Sequence, residues 1–212
     1  MATNTKAILK AQILDDLARS DLTTQVDTAI DWALNYYADD RFWFNEVVNA
    51  STTLSSSLAM ISFSVLPYRF QKIDRLRLEL NSIYYDLYHR DYDWIMARQD
   101  MRVVAQPMEY CVYADKVQFD VLADQNYTLN IDGLVSLANA ASNTYTAQDA
   151  SEWFNTASEL IRSAVKRNLY SQVLKDPDMA SVCVQSEQDA YSFLKGITNR
   201  KKTTGYIRAN QF

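Results

Sequence analysis

Apolar residues recur at spacings of three and four near the start of the chain, the period of an amphipathic helix. Leu9, Ile13 and Leu17 mark a first helix over residues 5–19. Leu22, Val26, Ala29, Ile30, Ala33 and Tyr37 mark a second, with Asp21 or Thr23 as its cap. The break at Ser20–Asp21 is short, so the two helices are expected to form an antiparallel hairpin. At Arg41 the period fails. Phe42, Trp43 and Phe44 are three consecutive aromatics, which no single helical stripe buries. They are expected to join a helical bundle to the middle of the chain.

That middle region has strand texture. The segment 47–57 is rich in Ser, Thr and Val, and 62–66 alternates weakly. Leu76, Leu78 and Leu80 alternate with Arg75, Arg77 and Glu79, which predicts a half-buried strand over 73–80. Residues 83–89 suggest another strand, and Asp91 caps a short helix to Gln99 that carries Trp94 and Ile95. Beyond Pro107, residues 110–113 and 117–122 read as a hairpin turning at Ala114–Lys116. Tyr127, Leu129 and Ile131 add a third strand, giving an antiparallel meander.

Helical periodicity returns after the polar loop at 142–146. Thr146 or Asp149 caps a helix to about Lys175, whose stripe is Trp153, Phe154, Ala157, Leu160, Ile161 and Ala164, with Asn168 where it runs out. Asp176-Pro177-Asp178 starts a further helix, since acids and an early proline both suit a helix N-terminus. Its apolar face is expected to be Met179, Val182, Cys183, Ser186, Ala190 and Phe193, and Gly196 its stop. The predicted class is α+β: an antiparallel α-helical bundle of two hairpins, an inserted antiparallel β lobe and an extended C-terminal arm. The expected boundaries are 1–46 and 147–196 for the hairpins, 47–146 for the lobe and 197–212 for the arm.

Composition changes this picture in two ways. Fourteen tyrosines and four tryptophans among 212 residues suit a protein rich in interfaces, while three glycines leave no room for a phosphate-binding glycine motif. Net charge is −5, but the segment from Lys195 onward has five basic residues and no acid. The first 194 residues therefore hold 16 basic against 26 acidic side chains, a net of −10. An acidic body with a basic tail is the result. Three readings of that tail stay open: a solubilising end, a nucleic-acid arm, or an extended peptide docking on a partner through Tyr206, Ile207 and Phe212.

No catalytic set stands out. His89 is the sole histidine, and the pairs Asp15–Asp16 and Asp39–Asp40 fall at helix surfaces or ends. Asp86, Asp91 and Asp93 lack the glycine and closing glutamate of a calcium loop. Cys111 and Cys183 fit no zinc or redox spacing, so a reducing compartment is expected. Neither a signal peptide nor a membrane span is expected. No catalytic residue, metal or cofactor is assigned.

The order of features resembles a known family. IDWALNYYADDRFWFNE, then VYADKVQFDVLADQNYTLNIDGL, then DASEWFNTASELIRSAVKRNLYSQVLKDPDMASVCVQSEQDAYSFLKGI and a basic tail look like the head-to-tail adaptor (connector) proteins of short-tailed phages. The resemblance runs along most of the chain, with 47–106 adding little. It implies a virion structural protein at the portal vertex, assembled in the host cytoplasm. Such proteins form a ring of identical subunits, usually twelve-fold. The ring binds the portal protein above and tail nozzle or tail fibre proteins below, and genome DNA passes through without specific binding. The C-terminal arm grips the portal, which implicates Arg200, Lys201, Lys202, Tyr206, Ile207, Arg208 and Phe212 here. The runner-up from the residues alone is a soluble DNA-binding or packaging factor using the same basic arm.

Overall fold

The computed structural model describes residues 4–137 and 151–203. Six helices and ten strands follow one another among these residues. In chain order they are α1 (Lys6–Asp16), α2 (Thr23–Tyr36), β1 (Glu46–Leu54), β2 (Met60–Ser62), β3 (Arg69–Leu80), β4 (Ile83–Asp86), β5 (Tyr88–His89) and α3 (Tyr92–Gln99). Then come β6 (Val104–Ala105), β7 (Glu109–Tyr113), β8 (Lys116–Phe119), β9 (Leu122–Ala123), β10 (Tyr127–Ser136), α4 (Glu152–Asn155), α5 (Ser158–Leu169) and α6 (Pro177–Thr203). The fold is mixed α+β. It divides into two compact units, one drawn from Met1–Phe44 and Leu137–Phe212, the other being Asn45–Ser136.

In the helical unit, α1 starts where Thr5 accepts a hydrogen bond from the Ile8 N–H. Lys6 pairs with Asp31 at 2.6 Å and Lys10 pairs with Asp27. The first partner number rises as the second falls, so α1 and α2 run antiparallel. The expected cap of α2 does not form: Leu22 holds the cap position without a side-chain bond, and Asp21 is taken by Arg19. The whole predicted α2 face is buried, from Leu22 to Tyr37. So is the stripe from Trp153 to Ala164, and the two stripes share one core with Leu9, Ile13 and Leu194.

The second helical segment is broken where the sequence predicts continuity. α4 begins at Ser151, whose hydroxyl accepts from the Trp153 N–H, and ends before Thr156. The proposed caps Thr146 and Asp149, and the loop 142–146, lie outside the described residues. After α5, residues Tyr170–Leu174 widen into a π turn, and Lys175 turns left-handed at φ 55°. Asp176 then caps α6 by accepting from the Met179 N–H at 3.0 Å. Asn168 is half-buried where the stripe runs out.

The buried face of α6 is only partly the expected one: Cys183 is buried and Ala190 packs against the core as expected. Met179, Val182 and Phe193 are instead exposed, Phe193 by 64%, and Ser186 is exposed too. The face turned to the core carries Cys183, Glu187, Leu194 and Thr198. Two polar residues on that face hide it from a count of apolar spacings.

In the β unit, one antiparallel sheet has the order β1-β10-β3-β4. A second has the order β2-β8-β7-β5, with β5 parallel to β7, and β6 and β9 form a short parallel pair. The hairpin β7–β8 turns on Ala114 and Asp115, both at positive φ, as a two-residue hairpin turn demands. The meander does not form. β10 leaves β7–β8 and pairs with β1 and β3, strands far away in sequence. Of residues 62–66 only Ser62, the end of β2, is strand: the chain then closes into a 3-10 turn at Phe63–Val65. The segment 83–89 supplies two strands in two sheets rather than one. Gly133 in β10 is required by close approach, since a β-carbon there would fall 2.2 Å from the Lys72 carbonyl oxygen.

α3 lies against β7 and β8 with Ile95 buried. Asp91 sits at its cap position but makes no side-chain bond there. The helix is fixed instead by Glu109, which accepts from the Trp94 indole at 2.7 Å and from Arg90 Nε at 2.9 Å. The Trp94 bond first, then Arg90, holds the Glu109 carboxyl below its ordinary pKa, against the opposing effect of burial. A carboxyl that is more acidic folded than unfolded stabilises above the unfolded pKa, about 4.3. That contribution is lost as pH falls through the lowered folded value. Glu109→Gln is therefore expected to cost about 1–3 kcal/mol at neutral pH, with the gap to the parent closing below about pH 4. Urea titrations of both proteins from pH 7 to 3 check this; a constant gap contradicts it.

Candidate functional site

The residues marked by the sequence meet at one end of the helical unit. α2 ends at Tyr36, and tight turns through Ala38 and Asp40 deliver Phe42–Phe44. Phe42 is fully buried. Its ring stacks on Phe44 at 5.4 Å between centroids and meets Trp153 edge-on at 5.8 Å. Phe44 also meets Trp153 edge-on at 5.1 Å, and Trp43 meets Phe44 at 5.9 Å. The boundary between the two units falls between Phe44 and Asn45. Three consecutive aromatics can all be used here because the chain has left the helix, so their side chains need not share one face.

The last turns of α6 lie along this aromatic cluster. Lys195 sits 4.7 Å from the Phe42 ring centroid and 5.1 Å from that of Tyr191. It donates to Asp40 at 3.0 Å and to the Arg41 carbonyl at 3.1 Å. Burial opposes its charge, but the bonds with Asp40 and Tyr191 outweigh that and raise the Lys195 pKa. One turn on, Thr198 Oγ1 accepts from the Trp43 N–H at 3.2 Å and donates to the Leu194 carbonyl at 2.9 Å. One turn further, the Lys201 ammonium lies 3.0 Å from the Trp43 ring centroid. A cation over an aromatic face is attracted by about 0.5–2 kcal/mol, more as it is desolvated. The spacing 195, 198, 201 thus ties one stripe of α6 to the aromatic segment.

This corrects the C-terminal boundary. The helix does not stop at Gly196, where a side chain would meet open space. It runs to Thr203, so Arg200, Lys201 and Lys202 lie in its last turn instead of an extended arm. Three cations there complement the negative end of the helix dipole. Tyr206, Ile207, Arg208 and Phe212 lie outside the described residues.

Beside the cluster, between α2 and α6, opens a cleft of about 530 Å³ lined by Tyr36, Tyr37, Asp40, Arg167, Glu187 and Tyr191 among others. Glu187 is buried within it. Its carboxylate accepts from both the Nε and, at 3.1 Å, the Nη2 of Arg167, and from the Tyr37 hydroxyl. Arg167 also spreads over the rings of Trp32 at 5.2 Å and Tyr36 at 6.0 Å. Burial first, and the neighbouring Glu187 carboxylate second, drive the Tyr37 pKa far above its ordinary value. Charge and hydrogen-bonding capacity are matched within the set. A satisfied ion pair of this kind fastens helices together and offers no ready acid or base. Sequence spacing missed it, because a count of apolar positions along α6 passes over an acid that a distant partner makes fit for burial.

The other marked residues do not converge. His89 is exposed, with its ring edge-on to Tyr110. Asp16 is engaged by Arg162 and Lys166, and Asp86 by Arg75. Cys111 and Cys183 are buried free thiols whose pKa burial raises. Among the described residues, no group of three or more His, Cys, Asp or Glu could hold a metal ion. Among them too, no helix is long and apolar enough to cross a membrane. Compared with known families and with curated proteins, the chain matches none.

Proposed function

We propose that this chain is a structural adaptor of the phage head-to-tail type, a subunit of a ring that joins a portal to a tail and lets DNA pass. The observation that carries the reading is the anchoring of α6. Its basic last turn is held on Phe42–Phe44 through Lys195, Thr198 and Lys201. The last described turn of α6 is thereby a fixed point on the helical unit, as the base of a partner-gripping strap requires. In this reading α1–α2 and α4/α5–α6 are the two hairpins of one bundle, and Asn45–Ser136 is the lobe that meets tail components or a neighbour. The net charge of −5 supports passage of DNA, because an acidic bore repels phosphate where a basic one would hold it.

The test uses the helix boundary. Removing 204–212 leaves the contacts of Lys195, Thr198 and Lys201 with Asp40–Trp43 and Leu194 in place. The truncated chain is expected to melt as the full chain does and to lose co-purification with its portal protein. Tight binding retained by the truncated chain would reject the strap. Salt-sensitive binding of duplex DNA by the full chain, lost on the same truncation, would favour a DNA-binding factor instead.

A further inference from the structure

Among the described strands, the four-stranded sheet ends on β1 and on β4. The ladder aligns Thr52, Leu129, Leu78 and Tyr85 in one row across the sheet. Leu129 and Leu78 in the middle of that row are 1% and 0% exposed, whereas Tyr85 at the edge is 38% exposed. Ile83, which pairs with Leu80 on the same face, is 56% exposed. The apolar face of the sheet thus runs on past its last strand and is left uncovered there. All four residues of β4 are exposed.

The backbone of β4 is open in the same direction. Asn81 and Ser82, both at positive φ, make a two-residue turn, so Leu80–Ile83 and Leu78–Tyr85 are the bonded pairs of the hairpin. The Leu87 N–H to Leu76 carbonyl bond of 2.9 Å continues that alternation. The main-chain groups of Tyr84 and Asp86 therefore point away from β3.

We propose that a second copy of this chain continues the sheet: β4 of one copy pairs antiparallel with β1 of the next. The proposal rests on the reading of the chain as a ring subunit and names the surface that closes the ring. Three features favour a copy over another occupant. Neighbouring strands alternate in direction across four strands, so a copy displaced along the sheet brings its β1 antiparallel to β4 without breaking the alternation. The same displacement keeps the faces matched. Leu54 and Thr52 of β1 arrive on the side of Ile83 and Tyr85, and Thr53 on the side of Tyr84. The open lengths also agree. A bulge between Val47 and Ala50 breaks the regular edge of β1, leaving Ala50–Leu54 to meet the four residues of β4. A bulge and a short edge strand discourage indiscriminate edge pairing, while head-to-tail contacts between two different patches build rings.

Tyr84→Pro tests the pairing, because it removes an outward N–H and leaves the β3 ladder intact. Ile83→Lys is the second variant, placing a charge on the uncovered apolar edge without touching the backbone. Native mass spectrometry and negative-stain images of the full chain, with thermal melts as a check on folding, supply the readout. The expected result is multimers beyond the dimer for the parent chain, with association weakened roughly tenfold or more in each variant that melts normally. Rings formed equally well by folded Tyr84→Pro and Ile83→Lys would overturn the edge assignment and leave the ring reading standing. Association that stops at dimers would replace the head-to-tail pairing with a β4–β4 contact. A parent chain that stays monomeric at its highest soluble concentration would overturn both the pairing and self-assembly.

Discussion

Phe42→Ala is expected to destabilise the helical unit by about 3–5 kcal/mol, the usual loss for deleting a large buried aromatic. Phe42 is fully buried and touches Phe44, Trp153 and Tyr191 at once, so its removal opens a cavity shared by α4, α6 and the segment after α2. Collapse of that cavity is hindered because Trp153 is itself fixed by packing and only 2% exposed. Trp43→Ala should cost clearly less. Trp43 is half-buried, its indole nitrogen has no partner among the described residues, and its face meets the flexible Lys201 side chain. Urea denaturation of the two variants provides the comparison. Equal losses would mean that Trp43 and Phe42 are packed alike, contrary to their different burial. The sequence marks 42–44 as one group; the structure ranks its members.

Glu187→Ala is expected to cost about 3 kcal/mol, toward the low end for a broken buried ion pair because Arg167 keeps some contact with water. Its side chain is 28% exposed, against 9% for Glu187. The substitution leaves the Tyr37 hydroxyl and the Arg167 guanidinium without their shared acceptor inside the cleft. Glu187→Gln retains an acceptor for Tyr37 and should lose less, which separates the hydrogen bond from the charge. Equilibrium unfolding at neutral pH and moderate salt makes the measurement. A loss for Glu187→Ala below about 0.5 kcal/mol, the range of ordinary surface changes, would show that the cluster does not fasten α6.

The helical stripes show how far local pattern reaches. Leu22, Val26, Ala29, Ile30, Ala33 and Tyr37 are legible because a helix repeats within four residues, and burial selects apolar side chains at that repeat. α6 defeats the same logic. Glu187 and Thr198 belong to its core face, while Met179, Val182 and Phe193 do not. Partners distant in sequence, Arg167 and Tyr37, make Glu187 compatible with burial, while Thr198 is satisfied by the Leu194 carbonyl within its own helix and by the distant Trp43 N–H. Gly196 misleads for a related reason. A glycine weakens a helix by about 1 kcal/mol relative to alanine, and the contacts of Lys195, Thr198 and Lys201 outweigh that and carry the helix to Thr203.

By itself, then, the amino-acid sequence determined the short-range order of this protein: helices at both ends, strands between, an aromatic segment where the first helices end, and a basic C-terminal region. Each arises from interactions within a few residues. Tertiary structure alone decided that β10 joins β1 and β3 instead of β8, that Glu187 is buried, and that the basic turn at 200–202 is helical against Trp43. Strand pairing, ion pairing and cation–aromatic contact act between residues tens to more than a hundred positions apart, and a local hydrophobic period carries no record of such partners.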